Sequence, residues 1–463
     1  MIRLASALLV SLASVHAASL LPPADDEQLA LQIYKQMIES KSGYSTGETT
    51  SIAQAVAARL RAAGFPEADI YVGGAIPTKY NVVVRYHGTG ARKPILLLAH
   101  TDVVEAKRED WTTDPFQFIE KDGYFYGRGT SDDKAQAAIW IANLLRYKRE
   151  GFRPDRDLIV ALTADEEGGG PYNGVDWLLK NKRDLIEADF CLNEGGRGEI
   201  IDGKHVANDI GLAEKTYADF RFEVRNKGGH SSVPVPDNAI YHLAGALTRL
   251  ASFSFPMQLN DVTRAYFGQM AKIEKGPIAA DLAQVAQGSQ DAMERVAAHS
   301  PSMNSMLRTT CVATQLEGGH APNALPQLAA ANVNCRIFPD DTVENVFAVL
   351  KKVVADDQVV VTIKYDEGKA PASPMRPEIM HAFGQITDTM WPGVLTVPTM
   401  STGASDGRYL RAAGIPTYGI QGFFQDRSDI RAHGRDERMP VESFYEGQTF
   451  LYELVKRLSS NGQ

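Results

Sequence analysis

This chain of 463 residues is 44% hydrophobic. A protein of that length and composition can bury a large core, and two or three domains are expected. The net charge of -9 and the lack of any dense run of Lys and Arg leave no basic face for a polyanion. Nucleic acid is therefore excluded as an expected partner.

The N-terminal segment predicts export. Arg3 is followed by an apolar stretch over residues 4–15, and Val15 and Ala17 place small side chains where a signal peptidase cuts. An uncleaved membrane anchor is the alternative, but the stretch is short and rich in Ser and Ala. We expect a signal peptide at 1–17, cleavage near Ala17, and a periplasmic or secreted protein without a stable membrane span.

Short apolar runs alternate with helical periods from about residue 24 to 213. The runs at 94–99, 158–163 and 190–193 have the continuous apolar character of buried parallel strands. The amphipathic stretch 134–148 predicts a helix between two of them. This βαβ order predicts a mixed, mostly parallel sheet with helices on both faces.

The pattern changes at about residue 214. The predicted elements are, in chain order, a strand at 217–224, a helix at 237–252, strands at 308–316 and 327–338, a helix at 342–355 and a strand at 358–365. A β-α-β-β-α-β order is typical of a ferredoxin-like α+β unit. Asp341 is expected to cap the second helix, with Glu344 three residues on. Residues 253–306 lack a strand pattern and predict a helical insertion inside this unit.

The βα pattern returns after residue 368 and continues to the end of the chain. The fold class is therefore predicted to be α/β, with a large discontinuous domain interrupted by a smaller α+β domain. The large domain is expected to comprise residues 18–213 and 368–463, and the smaller one residues 214–367.

Three cysteines are present, Cys191, Cys311 and Cys335. They are too few for a disulfide framework and too scattered for a Cys-ligated metal site, so we expect them in the core. A bridge between Cys311 and Cys335 is the alternative in an oxidising compartment, because both lie in strand-like runs that flank one loop.

Side chains that can bind metals follow several predicted strands of the large domain. They are His100-Thr101-Asp102 after the strand at 95–99, Asp132-Asp133 after a glycine turn, Asp165-Glu166-Glu167 after 158–163, Glu194 after 190–193, and His433 in the closing segment. The ligand crevice of an open α/β sheet lies outside the carboxyl ends of its strands, so these clusters should converge. Each cluster alone is more often a solvated surface group. Together, the carboxylates would repel one another unless a cation neutralised them.

Two imidazoles and several carboxylates without thiolates suit zinc, and cobalt or manganese could substitute. The number of candidate ligands allows one imidazole and one carboxylate for each of two metals, with one carboxylate left to bridge them. Such a pair of ions, about 3.5 to 4 Å apart, can hold a hydroxide and polarise a carbonyl group. The sequence therefore predicts a hydrolytic site with two metals.

Five motifs carry a resemblance to a known family. They are His100-Thr101-Asp102, Gly127-Arg128-Gly129-Thr130-Ser131-Asp132-Asp133-Lys134, Asp165-Glu166-Glu167-Gly168, Gly229-His230-Ser231 and Ser405-Asp406-Gly407-Arg408. In this order, and over nearly the whole mature chain, they resemble the co-catalytic di-zinc peptidase family of glutamate carboxypeptidase, aminoacylase, succinyl-diaminopimelate desuccinylase and carnosine dipeptidase. The resemblance implies a zinc-exopeptidase-like catalytic domain and makes the smaller domain a ferredoxin-like lid.

The resemblance also implies a role for each residue of the large domain's site. Asp132 would bridge two zinc ions, of which one takes His100 and Glu194 and the other takes Glu167 and His433. Glu166 would be the general base that activates the water and later protonates the leaving amine. Asp102 would orient the His100 ring. A cis peptide is implied between Asp132 and Asp133.

Three residues of the smaller domain are implied to act on the substrate. His230 would reach the site from the lid of a partner subunit and stabilise the oxyanion; a structural histidine at a tight glycine turn is the alternative. Asn323 and Arg336 would hold the substrate's carboxylate, since a guanidinium can make a bidentate contact. A surface salt bridge is the alternative for Arg336.

The chain departs from the family pattern at several positions. Glu194 is followed by two glycines where many members have proline, and Ser405 stands where threonine is common. The insertion at 253–306 is larger than in the bacterial carboxypeptidase pattern and resembles the aminoacylase and yeast carboxypeptidase branch. It therefore leaves open whether the lids pair into a homodimer, and whether His230 acts in trans or within its own chain.

The function expected from these features is hydrolysis of a terminal amide or peptide bond by a zinc-bridged hydroxide, as in a carboxypeptidase or dipeptidase. An N-acyl-amino-acid deacylase with the same metal chemistry is the first alternative. A periplasmic binding protein that has lost turnover is the second, and an unrelated di-zinc aminopeptidase is the third. The partner is expected to be a small peptide or an N-acyl amino acid, whose side-chain preference the sequence does not specify.

Overall fold

The computed structural model describes residues 21–366 and 368–460. The predicted signal peptide at 1–17 lies outside the described residues. Over the described part, the strands form one ten-stranded sheet, one four-stranded sheet and two small sheets. Within these two ranges, no helix is both long enough and apolar enough to cross a bilayer.

The strands and helices are numbered in chain order. The strands are β1 (Ile70–Gly74), β2 (Tyr80–Tyr86), β3 (Ile95–His100), β4 (Ile119–Lys121), β5 (Tyr124–Tyr126), β6 (Leu158–Thr163), β7 (Phe190–Asn193), β8 (Gly198–Ile201), β9 (Lys204–Glu214), β10 (Thr216–Arg225), β11 (Gly229–His230), β12 (Thr310–Gly318), β13 (Ala324–Leu325), β14 (Leu328–Ile337), β15 (Val360–Asp366), β16 (Leu395–Ser401), β17 (Thr417–Gly419), β18 (Phe424–Asp426) and β19 (Arg438–Pro440). The helices are α1 (Ala24–Glu39), α2 (Thr50–Ala62), α3 (Lys134–Arg149), α4 (Gly174–Asn181), α5 (Arg183–Ile186), α6 (Ala239–Ser252), α7 (Asp261–Ile273), α8 (Pro277–Ala286), α9 (Gln290–His299), α10 (Pro301–Leu307), α11 (Val343–Val354), α12 (Pro377–Met390), α13 (Gly407–Ala412) and α14 (Val441–Leu458).

The large sheet has the order β1-β2-β6-β3-β7-β17-β9-β8-β18, with β16 beside β9. Its centre is parallel, because β3 pairs parallel with both β6 and β7, and β17 pairs parallel with β7. The apolar run of β3 is buried on both faces: Ile95 and Leu97 pack into one hydrophobic cluster, and Leu96 and Leu98 into another. This confirms the predicted mixed, mostly parallel sheet with helices on both faces.

The small sheet has the order β12-β14-β10-β15 and is antiparallel throughout. Its own core includes Phe220, Phe222 and Val333, which pack under α6 and α11. All six predicted elements are present, and their order in the sheet is that of a ferredoxin-like unit. The cap of α11 lies one residue later than expected, because Thr342 rather than Asp341 accepts the N–H of Asn345, at 3.2 Å.

The insertion is helical as predicted, forming α7 to α10, but it packs on the large sheet. Helix α7 lies against β16 and β9, and its buried side chains Phe267 and Met270 join the same hydrophobic cluster as Ile210 and Val397 of those strands. Residues 253–306 therefore lie between two elements of the smaller domain in the chain, as predicted, but they pack on the large sheet. Their assignment to the smaller domain is wrong. The apolar face of α7 must be covered, and the edge of the large sheet covers it.

Cys311 and Cys335 form a disulfide, which replaces our expectation of two free core cysteines. The register explains the bond, because Cys311 of β12 lies directly opposite Cys335 of β14. Cys191 is a free, buried thiol in β7, as expected.

Candidate metal centre

The parallel strands bring the predicted clusters to one edge of the large sheet. His100 is the last residue of β3, and Glu166 and Glu167 follow β6 at the same level, because His100 lies opposite Thr163. Glu194 directly follows β7. Parallel strands end at the same edge of a sheet, so His100 and Glu166, which are 66 positions apart in sequence, can meet there.

Asp132 lies between the two imidazoles. Its Oδ1 is 3.0 Å from Nε2 of His100, and its Oδ2 is 3.0 Å from Nε2 of His433. The Asp132–Asp133 peptide bond is cis, as the family resemblance implies. Each oxygen of this carboxylate therefore faces a different histidine, which is the arrangement of a bridging ligand.

Each histidine also approaches a second carboxylate. Nε2 of His100 is 3.7 Å from Oε1 of Glu194, and Nε2 of His433 is 3.1 Å from Oε1 of Glu167. The ligand atoms of His100, Glu166 and Glu194 lie within 4.8 Å of one another, as do those of His100, Asp132 and Glu167. The structure thus brings together the five predicted metal ligands and Glu166.

The imidazoles and carboxylates at this edge of the sheet shift one another's pKa values. Burial works against ionisation of Asp132, but hydrogen bonds from His100 and His433 hold its pKa well below the usual range. Hydrogen bonds to Asp132 and Glu167 raise the pKa of His433 to about 10. Burial and neighbouring carboxylates raise the pKa of Glu166 and of Glu194 well above the ordinary value. The site therefore favours cations, whether protons or metal ions.

The donor set fits two divalent ions. Oε1 of Glu167 is buried and makes no hydrogen bond among the described residues, although it lies 3.1 Å from His433. Zinc binds nitrogen and oxygen at about 2.0 to 2.2 Å, so two tetrahedral ligands of one ion lie about 3.3 Å apart. The separations of 3.0 and 3.1 Å around Asp132 and His433 are close to that value.

The contacts of Asp102 differ from the role that the family resemblance implies, in which its carboxylate orients the His100 ring. Nδ1 of His100 lies 3.0 Å from the main-chain oxygen of Asp102 and 3.7 Å from its carboxylate, so the backbone makes the closer contact. The Asp102 carboxylate instead accepts the N–H groups of Glu166 and Glu167, at 3.1 and 3.0 Å. Asp102 therefore fixes the imidazole and the loop that carries both glutamates.

Glu437 is a supporting residue that the sequence analysis missed. It is fully buried and accepts hydrogen bonds from Arg128 at 2.7 Å, from the Gly129 N–H at 3.1 Å, and from both the N–H and the hydroxyl of Ser131. It thereby holds the turn that presents Asp132. No local signal identifies Glu437, because its partners lie about 300 residues earlier in the chain.

Asp406, in the fifth family motif, holds the adjacent loop. It is buried and accepts hydrogen bonds from the hydroxyl of Thr163 at 3.0 Å and from the amide of Asn173 at 2.6 Å. Ser405, where the family commonly has threonine, donates to Glu214 at 2.6 Å. This motif therefore contributes to the scaffold of the centre.

The three candidate residues of the smaller domain lie outside the cluster. His230 and Asn323 are exposed neighbours, because β11 pairs with β13 and the Ser231 N–H donates to the Asn323 carbonyl at 3.1 Å. The His230 ring contacts Ser232 and, within the described part of the chain, makes no hydrogen bond or ion pair with the centre. Arg336 lies on β14, with its guanidinium 4.7 Å from the ring of Tyr217.

A cavity of about 420 Å³ lies beside Asp132 and Glu194. Its other walls come from the strands around β9 and β16 and from the helical insertion, which contributes Tyr266, Ser302 and Met306. The packing of the insertion on the large sheet therefore gives it a share of the candidate active site.

Comparisons with known proteins show the family of this chain. Residues 96–457 match the model of peptidase family M20/M25/M40. The chain is 29% identical to the human N-fatty-acyl-amino acid synthase/hydrolase PM20D1, over 80% of this chain and 75% of that protein. It is also 29% identical to the probable carboxypeptidase S-like 2 of Dictyostelium discoideum, over 85% of this chain and 77% of that protein.

The fold matches that of a solved member. The M20 family metallo-carboxypeptidase Sso-CP2 from Sulfolobus solfataricus superposes with a TM-score of 0.69 at 17% identity, covering 92% of this chain and 98% of that one. These matches confirm the resemblance that the five sequence motifs carry. The chain belongs to peptidase family M20/M25/M40.

Proposed function

We propose that this hydrolase uses two zinc ions to cleave the amide bond that joins an acyl group or an N-terminal residue to a terminal amino acid. The observation that carries the proposal is the position of Asp132, 3.0 Å from an imidazole on either side. One ion would take His100, Asp132 and Glu194, and the other His433, Asp132 and Glu167. When bound, such ions polarise the scissile carbonyl and lower the pKa of a water molecule.

Glu166 is the proposed general base. Its ligand-capable oxygen lies within 4.8 Å of those of His100 and Glu194, and Asp102 holds its main chain at 3.1 Å. Burial raises the pKa of Glu166, which suits a group that takes a proton from water and returns it to the leaving amine. The presence of this base together with every proposed ligand favours an enzyme over a binding protein that has lost turnover.

The released group is proposed to be an amino acid with a free carboxylate. The human relative is named an N-fatty-acyl-amino acid synthase/hydrolase and the Dictyostelium relative a probable carboxypeptidase S-like protein. Hydrolysis of an N-acyl amino acid and of a C-terminal peptide bond both release an amino acid of this kind. Arg336 and Asn323 are the proposed carboxylate ligands, since guanidinium and amide groups donate to carboxylates. A carboxypeptidase or dipeptidase and an N-acyl-amino-acid deacylase both fit this chemistry.

Replacing the base tests the mechanism. Glu166→Gln should lower kcat by about a hundredfold to ten-thousandfold, because the amide cannot take the proton from water. Steady-state hydrolysis of a dipeptide and of an N-acetyl amino acid measures the loss, and metal content should stay unchanged. Glu109→Gln, an exposed glutamate before Trp111, is the control and should behave as wild type. A kcat near the wild-type value in Glu166→Gln would remove this residue from its role.

Metal stoichiometry tests the ligand set. The purified protein should bind about two zinc ions per chain, and His433→Ala about one, because each imidazole serves one ion. Elemental analysis after equilibration with zinc gives the ratio, and chelation should abolish hydrolysis until zinc is restored. His299→Ala, at the exposed end of α9, is the matched control. An unchanged ratio in His433→Ala would refute its assignment as a ligand.

We also propose that the small sheet pairs with that of a second copy. The edge strand β12 exposes Val312 and Leu316, which are 60% and 69% accessible, and Ile240 and Tyr241 are exposed at the start of the neighbouring α6. An edge strand has unpaired backbone groups that favour such pairing. The partner's lid would then supply His230, which in its own chain lies outside the centre.

Complementation tests whether His230 acts in trans. Glu166→Gln and His230→Ala should each be inactive alone. Their co-expressed mixture should recover about a quarter of the wild-type activity, because half of random dimers are mixed and each has one intact site. Size-exclusion chromatography with light scattering checks the dimer. If the mixed dimer forms but its activity stays at background, His230 acts in the site of its own chain.

We further propose that the protein is exported and matures near Ala18. The disulfide between Cys311 and Cys335 supports this, since such bonds persist in oxidising compartments. Mass spectrometry of the protein from a cell fractionation should find a mature N-terminus near Ala18 in the periplasm or medium. A reduced protein that begins at Met1 in the cytoplasm would contradict export.

A further inference from the structure

The two histidines of the proposed metal centre are held by different kinds of structure. His100 ends β3, which pairs with a strand on either side, and its side chain is 2% exposed. His433 lies in the segment between β18 and β19, which we call the His433 loop (residues 427–437), and its side chain is 54% exposed. Strands β18 and β19 belong to different sheets, so side chains rather than a strand ladder must close this loop.

The His433 loop has little buried surface to fix its shape. The side chains of residues 427–435 are all exposed or half-buried. His433 itself has a φ of 62°, a left-handed conformation that a residue with a Cβ keeps only where its surroundings hold it. Because ordering a loop costs conformational entropy, a zinc ion that had to order this loop would bind more weakly.

Three charged residues join the two arms of the loop, and we call them the clasp: Asp429, Arg431 and Arg438. Oδ2 of Asp429 accepts a hydrogen bond from Nε of Arg438 at 2.9 Å and another from the same guanidinium. Oδ1 of Asp429 accepts from Nε of Arg431 at 2.7 Å. Asp429 precedes His433 in the chain and Arg438 follows it, so the clasp ties the start of the loop to the first residue of β19.

The clasp is anchored to a strand outside the loop. The guanidinium of Arg438 lies 3.9 Å from the centroid of the Tyr124 ring and donates to the hydroxyl of Tyr126 at 2.9 Å. Both tyrosines lie on β5, which pairs with β19. The position of Asp429 is therefore set by two paired strands.

Arg431 connects the clasp to His433. The Arg431 carbonyl accepts the Gly434 N–H at 2.9 Å, which closes the turn that contains His433. The Arg431 guanidinium also donates to the Asp436 carbonyl on the returning arm, at 3.4 Å. Arg128 donates to the His433 carbonyl at 3.3 Å. These last two bonds are longer than the charge-assisted bonds of the clasp, which are the stronger restraint on the loop.

We propose that the clasp positions His433 and thereby sets the affinity of one zinc ion without affecting the other. The proposal rests on the proposed function, in which His433 and Glu167 hold one ion, and His100 and Glu194 the other. With the clasp closed, Nε2 of His433 lies 3.0 Å from Asp132 and 3.1 Å from Glu167. Residues that orient a metal ligand typically change the affinity for the metal by about tenfold to a hundredfold.

Zinc titration of the full chain, in competition with a chromophoric chelator, measures the two affinities. Asp429→Asn should weaken one zinc ion by about tenfold to a hundredfold and leave the other at its wild-type affinity. Hydrolysis should fall at limiting zinc and return to the wild-type kcat when zinc is raised. The melting temperature of the zinc-free protein should change little, because partly exposed ion pairs contribute little to global stability. Arg438→Gln, which opens the clasp from its other arm, should give the same selective loss.

A double variant identifies the ion that responds. His433→Ala should retain one zinc ion, and adding Asp429→Asn should leave the affinity of that ion unchanged, because the clasp acts only through His433. Glu67→Gln is the matched control. It breaks a comparable exposed pair, in which two nitrogens of Arg61 donate to Glu67 at 2.6 Å, and both zinc affinities should equal those of wild type.

Equal weakening of both ions in Asp429→Asn, or no weakening of either, would overturn the role of the clasp. Further loss of the remaining ion in the double variant would do the same, as would loss of folding in both Asp429→Asn and Arg438→Gln. Those results leave the proposed two-zinc hydrolase intact. A wild-type protein that binds fewer than two zinc ions would instead overturn the proposed function and this inference together.

Discussion

The site depends on one constraint: a carboxylate that lies 3.0 Å from two imidazoles, in a crevice with further acids, needs positive charge around it. Asp132 lies close to both histidines because Glu437 holds its turn in place. The neighbouring ligands His100 and Glu194 are positioned by the ends of their strands. The parallel pairing of β3 with β6 and β7 sets those ends at one level. The architecture of the large sheet is therefore the means by which acids distant in sequence come within coordinating distance.

Much of this could be predicted from the sequence. Apolar runs that are buried on both faces, such as Ile95 to Ala99, reveal parallel strands, and polar residues at their ends then reveal the crevice. The small sheet was predictable for a similar reason, since its strands alternate and its helices are amphipathic. The family resemblance implies further roles for His100, Glu166 and His433 that spacing alone leaves open.

The remaining features depend on tertiary contacts that leave no local signal. Glu437 stabilises the Asp132 turn across about 300 residues, and nothing around it distinguishes it from a surface glutamate. The insertion was recognisable as helical, but an amphipathic helix does not specify which surface covers its apolar face. Cys311 and Cys335 pair because β12 and β14 adopt one register, and that register is a property of the folded sheet.

The packing of the insertion on the large sheet affects how the two sheets can move. If residues 253–306 lay on the small sheet, two connections would join the units, one near residue 215 and one near 367. Because α7 to α10 are anchored to the large sheet instead, the chain crosses between the units four times. Two of these crossings are fastened together, since the buried ammonium of Lys215 donates to the carbonyls of Ser305 and Arg308, both at 2.9 Å. The crossings near residues 215 and 307 are therefore held at one point, and a rearrangement of the small sheet against the large one would have to preserve or break the Lys215 hydrogen bonds.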